Sequence, residues 1–254
     1  MELSGRVAVV TGAGTGIGRA IALELSRRGA AVGLVGRTRA TLEAVAGEAK
    51  GETCVATADV RARASVDAAL AAIRARLGPL HAVVANAGVG GPDDLGAGDR
   101  WDEIVRTNLD GAYFTLRAFE RNLASESGWC HAIVISSCVA RFGVAGIAAY
   151  SAAKAGQLGL VRSLAVELAP KQVLVNAICP GWVETQMAVD RMTEIGAGQG
   201  KGYPEVRREL LAGVPLQRIS APEEVAGLVT FLLSPAATAF TGQAFDLNNG
   251  AWMG

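Results

Sequence analysis

The run Arg6-Val7-Ala8-Val9-Val10-Thr11 leads straight into Gly12-Ala13-Gly14-Thr15-Gly16-Ile17-Gly18, and the reading of this junction decides the fold. A short, unbroken apolar run between glycines predicts a parallel strand buried on both faces, since a half-exposed strand would alternate apolar with polar residues. The glycines then let the chain turn, and Ile17, Ile21 and Leu25 recur at helical spacing until Arg27, Arg28 and the capping Gly29. Strand, glycine turn and helix start together make a phosphate site. Gly12, Gly16 and Gly18 permit close approach of the backbone, and the first amides of the helix face the charge. Its place after the first strand favours a dinucleotide over a mere tight turn.

The alternation continues outward from there. Ala30 to Gly36 reads as a strand, Thr41 to Lys50 as a helix, and Thr53 to Ala58 as a strand ending at Asp59. Val66, Leu70, Ile73 and Leu77 keep helical spacing up to Gly78-Pro79. The next strand, Leu80 to Asn86, opens into a glycine-rich loop over Gly88 to Gly98, expected to be mobile. Trp101 to Ser125 reads as a long helix with Asn108 in its interior. Ala132 to Ser137 reads as a buried strand ending in hydroxyls, followed by a helix over Ala148 to Leu168 and a sixth strand over Val173 to Ile178. Ser220-Ala221-Pro222-Glu223-Glu224 starts the last helix, and Gln243 to Leu247 closes the sheet. This predicts an α/β fold: a doubly wound parallel sheet of Rossmann type in a single domain over residues 1–254. Between Trp182 and Gly213 the periodicity weakens while Met187, Met192 and several glycines accumulate, which predicts a substrate lid at about 182–213 over an apolar ligand.

The chemistry gathers late in the chain. Tyr150-Ser151-Ala152-Ala153-Lys154 places a phenol and an amine one helical turn apart on one face. A phenol ionises near pH 10 in water, so an acid or base built on Tyr150 needs a neighbouring cation, and Lys154 stands where it would lower that pKa. Ser137, at the predicted end of a buried strand, adds a hydroxyl where α/β sheets present chemistry.

In combination these residues resemble the short-chain dehydrogenase/reductase family over nearly the whole chain. The matching motifs are Thr-Gly-x-x-x-Gly-Ile-Gly from Thr11 to Gly18, Asp59, Asn86-Ala87-Gly88, Asn108, Ser137, Tyr150 with Lys154, and Pro180-Gly181 with Thr185. The resemblance implies seven strands and hydride transfer between a nicotinamide cofactor and a carbonyl or secondary alcohol. It implies that Tyr150 exchanges the proton, Ser137 hydrogen-bonds the substrate oxygen, Lys154 also holds the nicotinamide ribose, and Asn108 supports a proton relay through water to Lys154. Thr15 and Ile17 join the three glycines at the cofactor. The resemblance further implies that Asp59 and Val60 contact the adenine, that Asn86, Ala87 and Gly88 line the cleft, and that Pro180, Gly181, Val183 and Thr185 position the nicotinamide. Cys138, Val139, Val144 and Trp182 are candidate pocket walls beside Ser137. Three positions depart from the family pattern: Ala85 where a second Asn is common, Thr15 where some relatives carry a basic residue, and Asn248-Asn249-Gly250 in place of Gly-Gly.

Gly36-Arg37-Thr38 ends the second predicted strand without the acid that an NAD enzyme would place there, so NADP is the expected cofactor and NAD the alternative. The overall pattern, including Ala177 to Thr185, looks like 3-oxoacyl-thioester and polyketide ketoreductases. The alternatives are an alcohol or sugar-alcohol dehydrogenase and, from another class, a non-catalytic dinucleotide-sensing regulator. The substrate is thus a small carbonyl or alcohol, optionally thioester-linked.

Bulk properties agree with a small partner. The 254 residues carry a formal net charge of zero, which gives no electrostatic reason to expect nucleic acid or an anionic membrane. Cys54, Cys130, Cys138 and Cys179 are scattered, and with His81 and His131 they make no metal-type cluster, so reduced structural thiols and no metal are expected. The start lacks a signal-peptide pattern and no apolar run approaches the roughly 18 residues of a membrane span, so a cytoplasmic protein is expected. Relatives commonly form tetramers, and Trp252 and Met253 are candidates for a homotetramer interface.

Overall fold

A computed structural model describes residues 3–93, 96, 98–124 and 128–254. Seven strands, β1 (Val7–Thr11), β2 (Ala31–Gly36), β3 (Thr53–Thr57), β4 (Ala82–Ala85), β5 (Cys130–Ile135), β6 (Val173–Pro180) and β7 (Ala244–Leu247), form one sheet in the order β3-β2-β1-β4-β5-β6-β7. Every pairing is parallel. β1, β4, β5 and β6 are buried at every position, as their mainly apolar sequences require of strands covered on both faces, with His131 in β5 and Asn176 in β6 buried among them. Helices α1 (Gly16–Arg27), α2 (Arg39–Glu48) and α9 (Pro222–Leu232) cover one face around Ile21, Leu25, Leu42 and Val229. Helices α3 (Arg63–Leu77), α5 (Gly111–Glu120) and α6 (Ala148–Leu168) cover the other around Leu70, Leu116, Phe119 and Leu164. The strand order reverses between β1 and β4, which opens a crevice at their C-terminal ends.

Three elements differ from the sequence reading. The long helix is three pieces: α4 (Trp101–Val105), a π turn (Arg106–Asp110) that contains Asn108, and α5, which stops at Glu120. It stops because the chain beyond it pairs with Leu80, whose N–H donates to Asn122 and whose carbonyl accepts from Ala124. The expected end at Ser125 lies outside the described residues, as do positions 94, 95 and 97 of the loop expected to be mobile. β5 ends at Ile135, so Ser136 and Ser137 lie just past the strand. The stretch after β6 is helical: α7 (Gln186–Gln199) and α8 (Tyr203–Ala212) form a hairpin. Gly200, with φ of 68°, ends α7, and Gly196 lets the crossing chain pass so closely that a Cβ there would sit 2.5 Å from the Lys201 carbonyl oxygen. The hairpin carries its own small core of Met192, Val206, Leu211, Val214 and Ile219.

Candidate active site

The crevice is a cavity of about 360 Å³ lined from end to end by the expected residues: Gly12, Thr15, Gly16 and Ile17, then Arg37, Asp59 and Val60, then Asn86 to Gly88, Asn108, Tyr150, Lys154 and Thr185. Its floor is tied together by Thr11 and Asn86. Thr11 Oγ1 accepts from the backbone N–H of Asn86 and Ala87 at 3.0 and 3.1 Å, while Asn86 Nδ2 donates back to the Thr11 carbonyl at 3.0 Å. Gly12 and Gly16 take φ of 66° and 51°. A Cβ at Gly18 would lie 2.1 Å from the Gly12 carbonyl oxygen, so Gly18 serves the packing of helix on turn and does not line the cavity. α1 begins with no side-chain cap and no acid in its first turn, which leaves its amides for an anion. A dinucleotide pyrophosphate fits this cradle.

At the end of the cavity lined by Asp59 and Val60, the Asp59 side chain already has a partner. The Asp59 carboxylate is taken by Arg61, whose Nε and Nη2 reach it at 3.0 and 2.6 Å and hold it below the usual carboxylate range. Arg61 lines the cavity together with Arg37, Thr38 and Thr41. Arg61 was not singled out from the sequence, where it reads as an ordinary solvated residue, and Thr11 entered only as the first residue of the glycine motif, without a role of its own.

At the other end, β5 and α6 bring Ser137, Tyr150 and Lys154 together. α6 starts where Asp93 Oδ2 accepts from the Ala149 N–H at 2.8 Å, immediately before Tyr150. Lys154 is buried, and its Nζ donates to the Ile135 carbonyl at 2.8 Å, while Ser136 Oγ donates to the Lys154 carbonyl at 3.0 Å. The ammonium lies 5.5 Å from the centroid of the Tyr150 ring, and the Ser137 side chain acts on the phenol, although Ser136 and not Ser137 lines the cavity. Burial pushes the phenol up to about 12, with Ser137 opposing, and pushes the Lys154 amine down to about 8. The sequence led to the expectation that Lys154 lowers the tyrosine pKa. Here desolvation dominates and Lys154 is not among the groups that shift the phenol; its ammonium faces the ring and spends a hydrogen bond on Ile135.

Asn108 is fully buried. Its Nδ2 donates to the carbonyls of Val89 and Ile104 at 2.8 and 2.9 Å and its Oδ1 accepts from Val89 N–H at 3.1 Å, so its side chain pins the loop beside Tyr150. Thr185 caps α7, its Oγ1 accepting from Ala188 N–H at 3.3 Å, and its methyl abuts Gly16. Pro180, Gly181 and Val183 do not line the cavity. Pro180 ends β6, Gly181 donates to the Leu247 carbonyl, and Val183 is buried against the Ser220 strand bridge. Of the candidate pocket walls, Cys138 is buried beside Ser137, Val139 is half-buried, and Val144 is exposed. Trp182 packs on the hairpin core, as does Met192. Met187, half exposed, is the methionine that reaches the cavity, where it flanks Gly90 opposite the Tyr150 ring.

The Asn248-Asn249-Gly250 departure has a structural account. Asn248 Oδ1 accepts from Gly250 N–H at 3.0 Å, and Asn249, at φ of 56°, donates to Ser220 Oγ at 3.0 Å. Ala85 simply fills the core. Trp252 lies under the Arg141 guanidinium at 5.0 Å, which leaves Met253 as the protruding side chain.

A family model described as enoyl-(acyl carrier protein) reductase matches residues 12–251. The 3-oxoacyl-(acyl-carrier-protein) reductase FabG of Pseudomonas aeruginosa is 38% identical over the full length of both chains. The chain belongs to the short-chain dehydrogenase/reductase family. A putative ketoacyl reductase of Streptomyces coelicolor is 37% identical over 96% of each chain. Among solved structures, an actinorhodin polyketide ketoreductase variant with NADPH matches at a TM-score of 0.90 and 34% identity over 99% of both chains. L-Sorbose reductase of Gluconobacter frateurii, complexed with NADPH and L-sorbose, matches at 0.91 and 26% over 100% of this chain and 98% of that one. This short-chain dehydrogenase/reductase is therefore a nicotinamide-dependent oxidoreductase. Among the described residues, no group of His, Cys, Asp and Glu is placed to hold a metal, and no helix is long and apolar enough to cross a membrane.

Proposed function

We propose that this enzyme reduces the ketone of a 3-oxoacyl thioester or a related ketone, with NADPH as the preferred cofactor. The observation that carries the reading is the Tyr150 ring standing 5.5 Å from a buried Lys154 ammonium that is fixed on the Ile135 carbonyl, with the Ser137 side chain acting on a phenol that keeps its proton across the neutral range. A phenol that can give up a proton suits a carbonyl oxygen better than the carbon–carbon double bond named in the family model's description. The bound nicotinamide supplies the hydride. As negative charge develops on the substrate oxygen, Ser137 donates a hydrogen bond and Tyr150 gives up its proton, the kind of positioned transfer that contributes roughly 10²- to 10⁴-fold in rate. Lys154 orients the ring and stands ready to reload the phenol, while Asn108 holds the Val89 loop against the site. Gly90, between Met187 and the Tyr150 ring, leaves room for the substrate chain, and the 182–213 segment acts as the lid.

Arg37 supports the cofactor preference. It lines the cavity at the end of β2, where Gly36 carries no acid, and its fork suits a 2′-phosphate. A hydrogen bond to a charged group contributes roughly 1.5 to 3 kcal/mol, so the preference is on the order of tenfold to a hundredfold. The reading extends to a cytoplasmic homotetramer, supported by Val166 and Met253, each 79% exposed, and checked by sedimentation.

The L-sorbose reductase likeness supports a second reading as a sugar reductase. The test is loss of NADPH absorbance with a 3-oxoacyl thioester, a simple ketone and L-sorbose. The thioester should give the highest kcat/KM. A higher value for L-sorbose supports the second reading, and cofactor binding without loss of absorbance with any carbonyl supports a sensor. Arg37→Ala and Gly36→Asp should both shift the NADPH to NADH ratio of kcat/KM towards NADH, and a wild type that prefers NADH would overturn the cofactor assignment.

A further inference from the structure

Gln157 stands one turn beyond Lys154 on α6, 1% exposed, behind the wall of the cavity. Its Nε2 donates to the main-chain carbonyl of Asn108 at 2.7 Å, inside the π turn. Its Oε1 is buried and meets no hydrogen-bond donor. An unsatisfied buried acceptor costs about 1–3 kcal/mol, and an apolar side chain would avoid that cost on a helix face that otherwise buries Ala153, Leu158 and Val161. A polar group kept there calls for a role. Helical side chains lean towards the N-terminus, so Gln157 reaches back over the turn that carries Lys154. The Lys154 ammonium has three donors, and one goes to the Ile135 carbonyl.

We propose that Gln157 is a positioning residue for proton supply: its Oε1 seats a water that also accepts from Lys154 Nζ, and through this water Lys154 regains its proton after each carbonyl is reduced. The inference rests on the reductase reading above. In that sequence the Tyr150 phenol gives its proton to the substrate oxygen, and the phenolate takes one from the Lys154 ammonium. The neutral amine then takes a proton from the seated water as that water takes one from solvent, so one solvent proton enters per carbonyl reduced. The titratable groups acting on this pair are Cys179 on β6, which faces Lys154, and Cys138, which faces Tyr150. Asp246 on β7 acts on both thiols but is paired with Arg141. None of these acts as a carboxylate on Lys154, which leaves water as its proton source. Asn108, with its side chain spent on Val89 and Ile104, is the platform that fixes the Gln157 amide.

The test pairs a crystal structure of the wild type, at a resolution that shows water, with Gln157→Leu. The wild type should show a water within hydrogen-bonding distance of both Gln157 Oε1 and Lys154 Nζ. In the variant, kcat should fall about tenfold, the D₂O effect on kcat should grow, and the effect of deuterated NADPH should shrink, with KM for the ketone and Kd for NADPH within twofold. A merely structural glutamine would move Tm and leave both isotope effects as they were. Unchanged kcat and D₂O effect in a folded variant, or no water between the two groups in the wild type, overturns the proposal. Should the variant fail to fold, the wild-type water decides. If no carbonyl consumes NADPH, the reductase reading fails by itself, and the seated water together with an NMR titration of Lys154 in both proteins still decides whether Gln157 governs that amine.

Discussion

The catalytic corner and the helical hairpin beside it are built on opposite plans. In the corner, side chains are tied to main chain that belongs to the sheet or to a helix packed on it: Lys154 to Ile135, Ser136 to Lys154, Asn108 to Ile104, Asn86 to Thr11. The hairpin of α7 and α8 rests on five buried apolar residues of its own and joins the frame through a short bridge, where Glu184 N–H donates to the Ser220 carbonyl and Ser220 N–H to that of Trp182. On the proposed reading, the reaction is placed by the part of the molecule expected to open last, and the substrate chain is met by a part expected to open alone. Such an arrangement lets the hairpin vary without moving the proton.

The largest effect should come from the corner. Tyr150→Phe removes the acidic hydroxyl and keeps the ring, so kcat should fall by roughly 10²- to 10⁴-fold with cofactor affinity nearly unchanged. Lys154→Met should damage both, and reduction by the wild type should decline as pH rises through about 8, where the buried amine loses its proton. Steady-state rates and cofactor titrations check all three. Any hairpin substitution that costs more turnover than Tyr150→Phe would break the division of labour.

Acid should attack the frame rather than the hairpin, whose core holds no titratable side chain. His131 is buried at the opening of β5, its Nδ1 lacks a partner, and burial pushes its pKa down to about 4. The unfolded chain binds this proton near pH 6.5 and the folded chain does not, so stability is fully present above about 6.5 and declines as pH falls towards 4, by up to about 3 kcal/mol. Urea midpoints across that range should show the slope, and His131→Leu should flatten it.

What was legible in the sequence follows the same division. β1, β5 and β6 announce themselves because strands buried on both faces must be mainly apolar, even with His131 and Asn176 inside two of them, and Tyr150 with Lys154 stand out because α6 is regular from Ala148 to Leu168. The π turn was hidden, since one extra residue per turn leaves no mark on a pattern read at 3.6, and with it the partnership of Asn108 and Gln157. The hairpin was hidden by Gly196, Gly198, Gly200 and Gly202, which weaken helical periodicity while Gly200 serves as a helix end. Met192 was counted towards a lid over an apolar ligand on composition alone, and it is a core residue. Desolvation of Tyr150 could not be read from a neighbour at i+4, because burial depends on what folds over the pair.

The smallest effect tests the hairpin's independence directly. Met192 is fully buried in a cluster of five, so Met192→Ala removes a large share of that core. Deleting a buried methionine costs 2–5 kcal/mol in a large core, and a small core that relaxes around the gap should lose about 2 kcal/mol. If the hairpin opens alone, that loss falls on its own opening equilibrium. Amides of α7 and α8 should then exchange about 30-fold faster, while those of β5 and α6 keep their wild-type rates. KM for a long-chain ketone should rise, and kcat for a small ketone should stay within twofold, since the corner is untouched. Faster exchange in β5 and α6 as well would mean that hairpin and corner form one cooperative unit, and the contrast between them would be one of packing only.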